Sequence, residues 1–409
     1  MYDQKPDIIP SAGVGRWPFL GLVGLVSGLS QLTYGLWFGA EHLFGDEPFD
    51  PGLFVFFYRF SFTGGFLLGL LISGPLCDNV GHRRIFAAAA GLQGLIFLIG
   101  ALSEFQLARP LEGLLGLSAG AIFPACFKIV WTVFTSAQRP APLFLVIVLA
   151  PASGRYLNDL AHWSGPPPDS ASFRLCLLFG LVMAGLGAAV MVFIKQPPTH
   201  PDWPAWGHEL KALPRQRSLV LILLTGVCCL ISLNLFTADI SHHLAVNERH
   251  HQPSSFLVNM LPLLYLALSI VAVYVQIKGQ KPAWALLTAS LIFMAAIFPL
   301  SGGMISNTAI MVTSQAVHLS YTLNLYLIYL LAAELADWKI SGTLVSINEL
   351  LAWAVSLLLM PQLAGLFFHD EIVVGHSGLM ITMIFIAWLG VAASVAAKAG
   401  ARPIRPNEP

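Results

Sequence analysis

The sequence predicts an all-α integral membrane protein, with twelve transmembrane helices in two pseudo-symmetric bundles of six. Three observations lead there. The 409 residues are 56% hydrophobic and only 10% charged, with mean hydropathy +0.74. The apolar residues gather into runs of about 20, the length that crosses a bilayer core. One proline-rich polar stretch near the middle divides those runs into two sets.

Composition sets the class. A soluble domain carries roughly 25% charged residues, so a chain with 10% cannot cover a water-facing surface and its main solvent is lipid. Formal net charge is zero, which excludes the basic footprint of a nucleic-acid binder. Cys77, Cys126, Cys176, Cys228 and Cys229 fall in or at the ends of apolar runs. They form neither a disulfide framework nor a zinc spacing.

The runs are taken in order. The first, from Trp17 to about Phe38, is too long for a signal-peptide core and has no small-residue cleavage site behind it, so it counts as a span. The first six spans lie near 17–39, 53–76, 84–103, 106–133, 141–160 and 173–194. The second six lie near 218–240, 254–276, 283–300, 305–333, 340–367 and 377–397. None alternates in polarity at every second residue, as a barrel strand would. Between the sets runs KQPPTHPDWPAWGHELKALPRQRS, Lys195 to Ser218, a polar Pro-rich linker in which GHELKAL is expected to form a short interfacial helix. The expected domains are therefore 1–194, a cytoplasmic linker at 195–217, and 218–409.

Lys and Arg give the orientation. With the N-terminus inside, the inner segments hold Arg83, Arg84, Arg139, Lys195, Lys211, Arg215, Arg217, Lys278, Lys281, Lys339 and the terminal cations. The outer loops hold Arg174 and Arg249, with Arg155 near a helix end, and are otherwise acidic or His-bearing. Both termini are expected in the cytoplasm, and the bacterial inner membrane is the expected location.

The second and third spans meet at GPLCDNVGHRRIF, Gly74 to Phe86. Arg83 and Arg84 serve the positive-inside rule, but that does not account for the spacing around them. Gly74 permits close approach of another helix. Asp78, near a helix end, can accept hydrogen bonds from the free N–H groups of a neighbouring helix N-terminus. Gly81 permits a tight turn. The stretch resembles the loop signature of the major facilitator superfamily, G-x-L-x-D-x-x-G-[RK]-[RK], at Gly74, Leu76, Asp78, Gly81, His82 and Arg83, with His82 where a basic residue is usual.

The resemblance implies a cytoplasmic latch between the two halves, with Asp78 and Arg83 holding the outward-facing state closed inside. Two further stretches carry it. ARPLEGLLGLSAG, with Arg109, Glu112, Gly113, Gly116 and Gly120, is similar to the family's R-x-x-x-G pattern. LAPASGRYL resembles the helix-5 motif of drug/proton antiporters, with Pro151 and Gly154 kept, but Ala150 and Arg155 replace its outer glycines. Gating is thus expected of Gly74, Asp78, Gly81, Arg83, Arg84, Pro151, Gly154 and Arg155. The second half echoes the first: QIKGQK repeats the loop spacing, and Pro361 in MPQLAG matches Pro151. Parallel six-helix halves place the binding site between them near the midplane.

Ionisable groups inside spans are costly and face a partner or a cavity. Glu349 lies about nine residues into its span, close to mid-bilayer at about 1.5 Å per residue, and is the first candidate for proton coupling. Glu112, Arg109 and His318 follow. Arg109 and Glu112, three apart on one helix face, fit a structural ion pair and a proton relay alike, and His318 fits a packing role as well. Arg59, Lys128, Asn348, Tyr34 and Gln31 are the expected substrate-binding residues, with snorkelling the alternative for Lys128. His242, His243, His250 and His251 show no recognised ligand spacing, and no metal is expected.

The function expected is a secondary active transporter. It would move a small polar, anionic or zwitterionic organic solute by alternating access, coupled to protons, with export favoured. Uptake of a nutrient or a metal chelate is the alternative, and a non-transporting receptor of the same fold is another. No Walker-type G-x-x-x-x-G-K-[ST] is present, so neither ATP as direct driver nor any cofactor is expected, and the chain is not expected to be an enzyme. The expected partners are the solute, protons and lipid, with no nucleic acid, and the chain is expected to act as a monomer.

Overall fold

A computed structural model describes residues 18, 20–30, 36–37, 60–134, 138–151, 169–193, 202–215, 217–246, 321–331, 340–367 and 390. The described residues are helical throughout, apart from short turns. The helices are α1 (Leu20–Ser30), α2 (Phe60–Leu76), α3 (His82–Leu102), α4 (Ala108–Val133), α5 (Pro140–Leu149) and α6 (Asp169–Phe193). After them come α7 (Trp203–Ala212), α8 (Arg217–Val246), α9 (Tyr321–Leu331) and α10 (Ser341–Phe367).

Three stretches among the described residues are long and apolar enough to cross a bilayer: Ser61–Leu102, Pro110–Val133 and Arg174–Val192. The first has 42 residues, which is about twice the ~20 that one crossing needs. It is interrupted by a wide π-turn, Cys77–Gly81, that separates α2 from α3. Large apolar side chains such as Leu71, Leu102, Leu178, Leu181 and Val192 lie exposed along these helices. Water would penalise that surface, and hydrocarbon does not.

Contacts divide the chain into two compact units, Met1–Gly207 with Trp338–Leu350, and His208–Asp337 with Leu351–Pro409. In the first, α2 lies along α4 and α3 along α6. Small residues set these approaches. A Cβ added at Gly65, Gly69, Gly116 or Gly120 would collide with the backbone of the facing helix, so α2 and α4 touch main chain to main chain. Lipid tails are as apolar as leucine, so close packing of this kind is what draws such helices together. Gly94 meets Gly180 and Ala184 in the same way between α3 and α6, where the Phe97 and Phe179 rings meet at a tilt, 4.6 Å between centroids. Helix α1 rests on α5, with the Ser27 hydroxyl donating to the Val146 carbonyl at 3.1 Å.

Helix α7 forms inside the polar linker, where a short helix was expected. Its N-terminus is held by Asp202, whose Oδ1 accepts from the Ala205 N–H at 3.1 Å. Helix α6 begins four residues before its expected start, just after Pro166–Pro168, and α8 continues six residues past its expected end.

Candidate functional site

The turn between α2 and α3 is shaped by its sequence. Pro75 lies one residue before the end of α2 and cannot donate a backbone hydrogen bond. The Asn79 amide returns to the Pro75 carbonyl at 3.0 Å. Gly81 closes the π-turn at φ 125°, ψ 122°, a conformation that residues with a side chain rarely adopt. Asp78 is thereby placed on a wide turn with its side chain fully buried.

Four donors reach the Asp78 carboxylate among the described residues. Lys128 Nζ, from α4, lies 2.7 Å from Oδ1. The Gly342 N–H donates to Oδ1 at 3.0 Å, the Thr343 N–H to Oδ2 at 2.8 Å, and the Thr343 hydroxyl to Oδ2 at 2.7 Å. Gly342 and Thr343 are the second and third residues of α10. Their N–H groups have no carbonyl partner within their own helix, and the α10 dipole favours a negative charge there. Asp78 therefore caps a helix that begins more than 260 residues further along the chain. Lys128 supplies the countercharge and also donates to Ser341 Oγ at 3.0 Å.

Two glycines admit this contact. A Cβ on Gly74 would run into Ser346 and the Gly342 carbonyl, and one on Gly342 would lie 3.0 Å from Asp78 Oδ1. Around the cluster, the Thr132 hydroxyl meets the Lys128 and Ile129 carbonyls at 2.9 and 3.0 Å and His82 Nε2 at 3.2 Å. With its one proton given to a carbonyl, the hydroxyl accepts from His82, which assigns the imidazole N–H to Nε2. The Trp206 indole N–H, from α7, donates to Thr343 Oγ1 at 2.9 Å.

The remaining expected residues fall elsewhere. Arg83 donates to the Met191 carbonyl near the end of α6, so its bond lies within the first six helices. Arg84 is exposed. Lys128, expected to bind substrate, carries its ammonium to Asp78. Glu112 is buried on α4, and Asn348 and Glu349 are buried on α10. Arg109 lies on α4 three residues before Glu112. Pro151 is buried just beyond α5, and Ala150 before it presses its carbonyl towards Gly28 of α1. Arg59, His318, Tyr34, Gln31, Gly154 and Arg155 lie outside the described residues.

Sequence reasoning missed Ser341, Gly342, Thr343 and Trp206. The first three form S-G-T at the head of an apolar run, a signal for a helix N-terminus in need of an acceptor. Nothing in the sequence pairs that terminus with Asp78.

No family model matches the chain, and no curated protein matches it in sequence. Solved structures do match in fold. A bacterial homologue of the iron transporter ferroportin, in an outward-facing state, superposes with TM-score 0.69 at 13% identity, over 93% of this chain and 99% of that one. The same homologue with soaked iron superposes with TM-score 0.66 at 13% identity over the same shares. The chain shares its fold with these structures.

Proposed function

We propose that this chain is a secondary active transporter working by alternating access, and that the Asp78–Lys128 cluster on the α10 N-terminus is the latch of its closed end. One observation carries the reading. A fully buried carboxylate directs its bonds to a helix start 264 and 265 residues away, beside a buried cation. Such a contact is strongest while both segments are shut away from water. Once parted, each charge and each N–H is solvated on its own, so the cluster can define two discrete states.

In this reading twelve helices form two bundles of six, joined by the 195–217 linker, with both termini in the cytoplasm. The turn at Cys77–Gly81 then lies at the cytoplasmic end, and the closed latch belongs to an outward-facing state. Glu349 is the leading proton carrier, with Glu112 next and Arg109 and His318 assisting. Lys128 is committed to the latch, so positive charge at the substrate site would rest on Arg59 and Arg109, with Asn348, Tyr34 and Gln31 as neutral contacts. The cargo is a small polar, anionic or zwitterionic solute exchanged for protons, with export favoured. A second reading, a metal ion or metal chelate as cargo, is favoured by the fold shared with the homologue that was soaked with iron.

Proteoliposomes under a pH jump test this. Wild-type protein should accumulate an organic acid, an amphoteric solute or a ferrous salt against its gradient. Glu349→Gln should still exchange cargo yet lose pH-driven accumulation. Absence of flux for all three cargo classes would refute transport, and unchanged accumulation by Glu349→Gln would move coupling to another group.

A further inference from the structure

Trp206 belongs to the linker helix α7, which lies in sequence between the two sets of expected spans. Its indole N–H is a donor with no acceptor capacity, and it ends on Thr343 Oγ1 at 2.9 Å. That hydroxyl has one proton, and it points to Asp78 Oδ2 at 2.7 Å. The three groups therefore form a chain of fixed polarity, indole to hydroxyl to carboxylate. A donor that can only donate fills the hydroxyl's acceptor side and leaves its proton for Asp78. Bonds in such a chain polarise one another, more so when buried. The rest of α7 is thinly held: none of its residues is buried, and Trp203, which packs edge-on against Trp206 at 5.7 Å, is itself exposed.

We propose that Trp206 is a positioning residue of the latch, and that the linker helix docks when the Asp78 cluster forms and is released when it parts. The linker is then a third part of the gate. This rests on reading the cluster as a state-dependent latch. The bond from Trp206 is the device: the hydroxyl that accepts the indole N–H is the one that donates to Asp78, so loss of the Asp78 bond weakens the seat of the indole, and the change at one end of α10 is reported to the linker.

The test uses full-length protein with three variants. Trp206→Phe keeps the ring and removes the N–H, Thr343→Val keeps the shape and removes the hydroxyl, and the third combines them. The readout is hydrogen exchange across 203–212 together with the ratio of inward-open to outward-open protein from paired spin labels. A neutral hydrogen bond contributes about 0.5–1.5 kcal/mol, so Trp206→Phe should move the ratio about two- to tenfold towards inward-open. Thr343→Val should move it at least as far, and the double variant no further than Thr343→Val, because the indole acts through the hydroxyl. Asp78→Asn should raise exchange in 203–212 although it leaves α7 itself unaltered.

Additive shifts, or a ratio untouched by Trp206→Phe, would overturn the proposal. So would exchange in 203–212 that ignores Asp78→Asn while that variant still shifts the ratio; the latch would then stand without the linker. If Asp78→Asn leaves the ratio itself unchanged, the latch reading fails and takes this inference with it.

Discussion

Asp78 and Arg83 stand five residues apart around one turn, and their charges are used differently. Asp78 is fully buried, bonds to the start of α10, and has its countercharge on α4. Arg83 reaches the Met191 carbonyl near the C-terminus of α6, which packs along α3. A cation at a helix C-terminus is stabilising by about 0.3–1 kcal/mol when exposed. If α10 moves in transport, the Asp78 contacts must break and the Arg83 contact need not. The motif that looks like one unit in sequence thus divides into a part that would switch and a part that braces. The difference follows from what lies opposite each charge: a helix N-terminus for the acid, a helix C-terminus for the base.

That division can be broken most sharply at Gly74. Its missing side chain lets α2 reach Ser346 and the Gly342 carbonyl. Gly74→Ala should fold and insert but be unable to close the latch, with transport reduced at least about a hundredfold. The physical ground is that the new Cβ would lie 2.7 Å from the Ser346 Cβ and 2.8 Å from the Gly342 carbonyl oxygen, neither of which a rotamer moves; near-wild-type flux in Gly74→Ala would show that the contact is not needed for turnover.

Lys128→Met is the next largest. It leaves a buried carboxylate with three neutral donors in place of four. Breaking a buried ion pair by removing one partner costs about 3–5 kcal/mol, and the α10 N–H groups offset part of that. Transport slower by about tenfold or more is expected, with an inward-open bias measured by spin-label distances. If Lys128→Met instead altered cargo affinity and left the bias alone, Lys128 would return to the substrate site that the sequence suggested.

Gly81→Ala acts on the turn that carries both charges. At φ 125° the backbone of an alanine is strained by on the order of 1–3 kcal/mol. A lower unfolding midpoint in detergent is expected, with Asp78- and Arg83-dependent effects weakened together. Arg83→Ala should do least: a twofold change or less in transport rate, with a loss of thermal stability of about 1 kcal/mol or below. A conformational shift in Arg83→Ala as large as that in Asp78→Asn would erase the distinction drawn between them.

Much of this arrangement was legible before any coordinates. Spans near 84–103, 106–133 and 340–367 match α3, α4 and α10 to within about two residues, because apolar length alone defines a helix in lipid. The capping role available to Asp78 could be read from its place near a helix end. The helix that it caps could not, since that pairing depends on how far-separated segments fold back and no local pattern encodes it. Lys128 is hard to read from sequence for a related reason. Depth in a span suggests a cavity or a snorkelling side chain, and a cation near a membrane face satisfies either, while the observed partner is an acid on the turn between α2 and α3. Gly342 shows the limit from the other side: a glycine opening an apolar run is ordinary until the carboxylate 3.0 Å from its absent Cβ is known.

The central claim, that Asp78 holds a closed gate, can be read directly from its neighbour Cys77. The thiol is buried, and it packs where a Cβ on Gly342 would lie 3.3 Å from its own Cβ. It should therefore be shielded while the cluster is intact and exposed when α10 departs. The measurement is the alkylation rate of Cys77 by a water-soluble maleimide, followed by peptide mass spectrometry, in wild type and in Asp78→Asn. The account predicts at least about a tenfold faster reaction at Cys77 in Asp78→Asn, from the 3–5 kcal/mol scale of a broken buried pair, with Cys126 and Cys229 unchanged. Equal Cys77 rates in the two proteins, both folded, would contradict it.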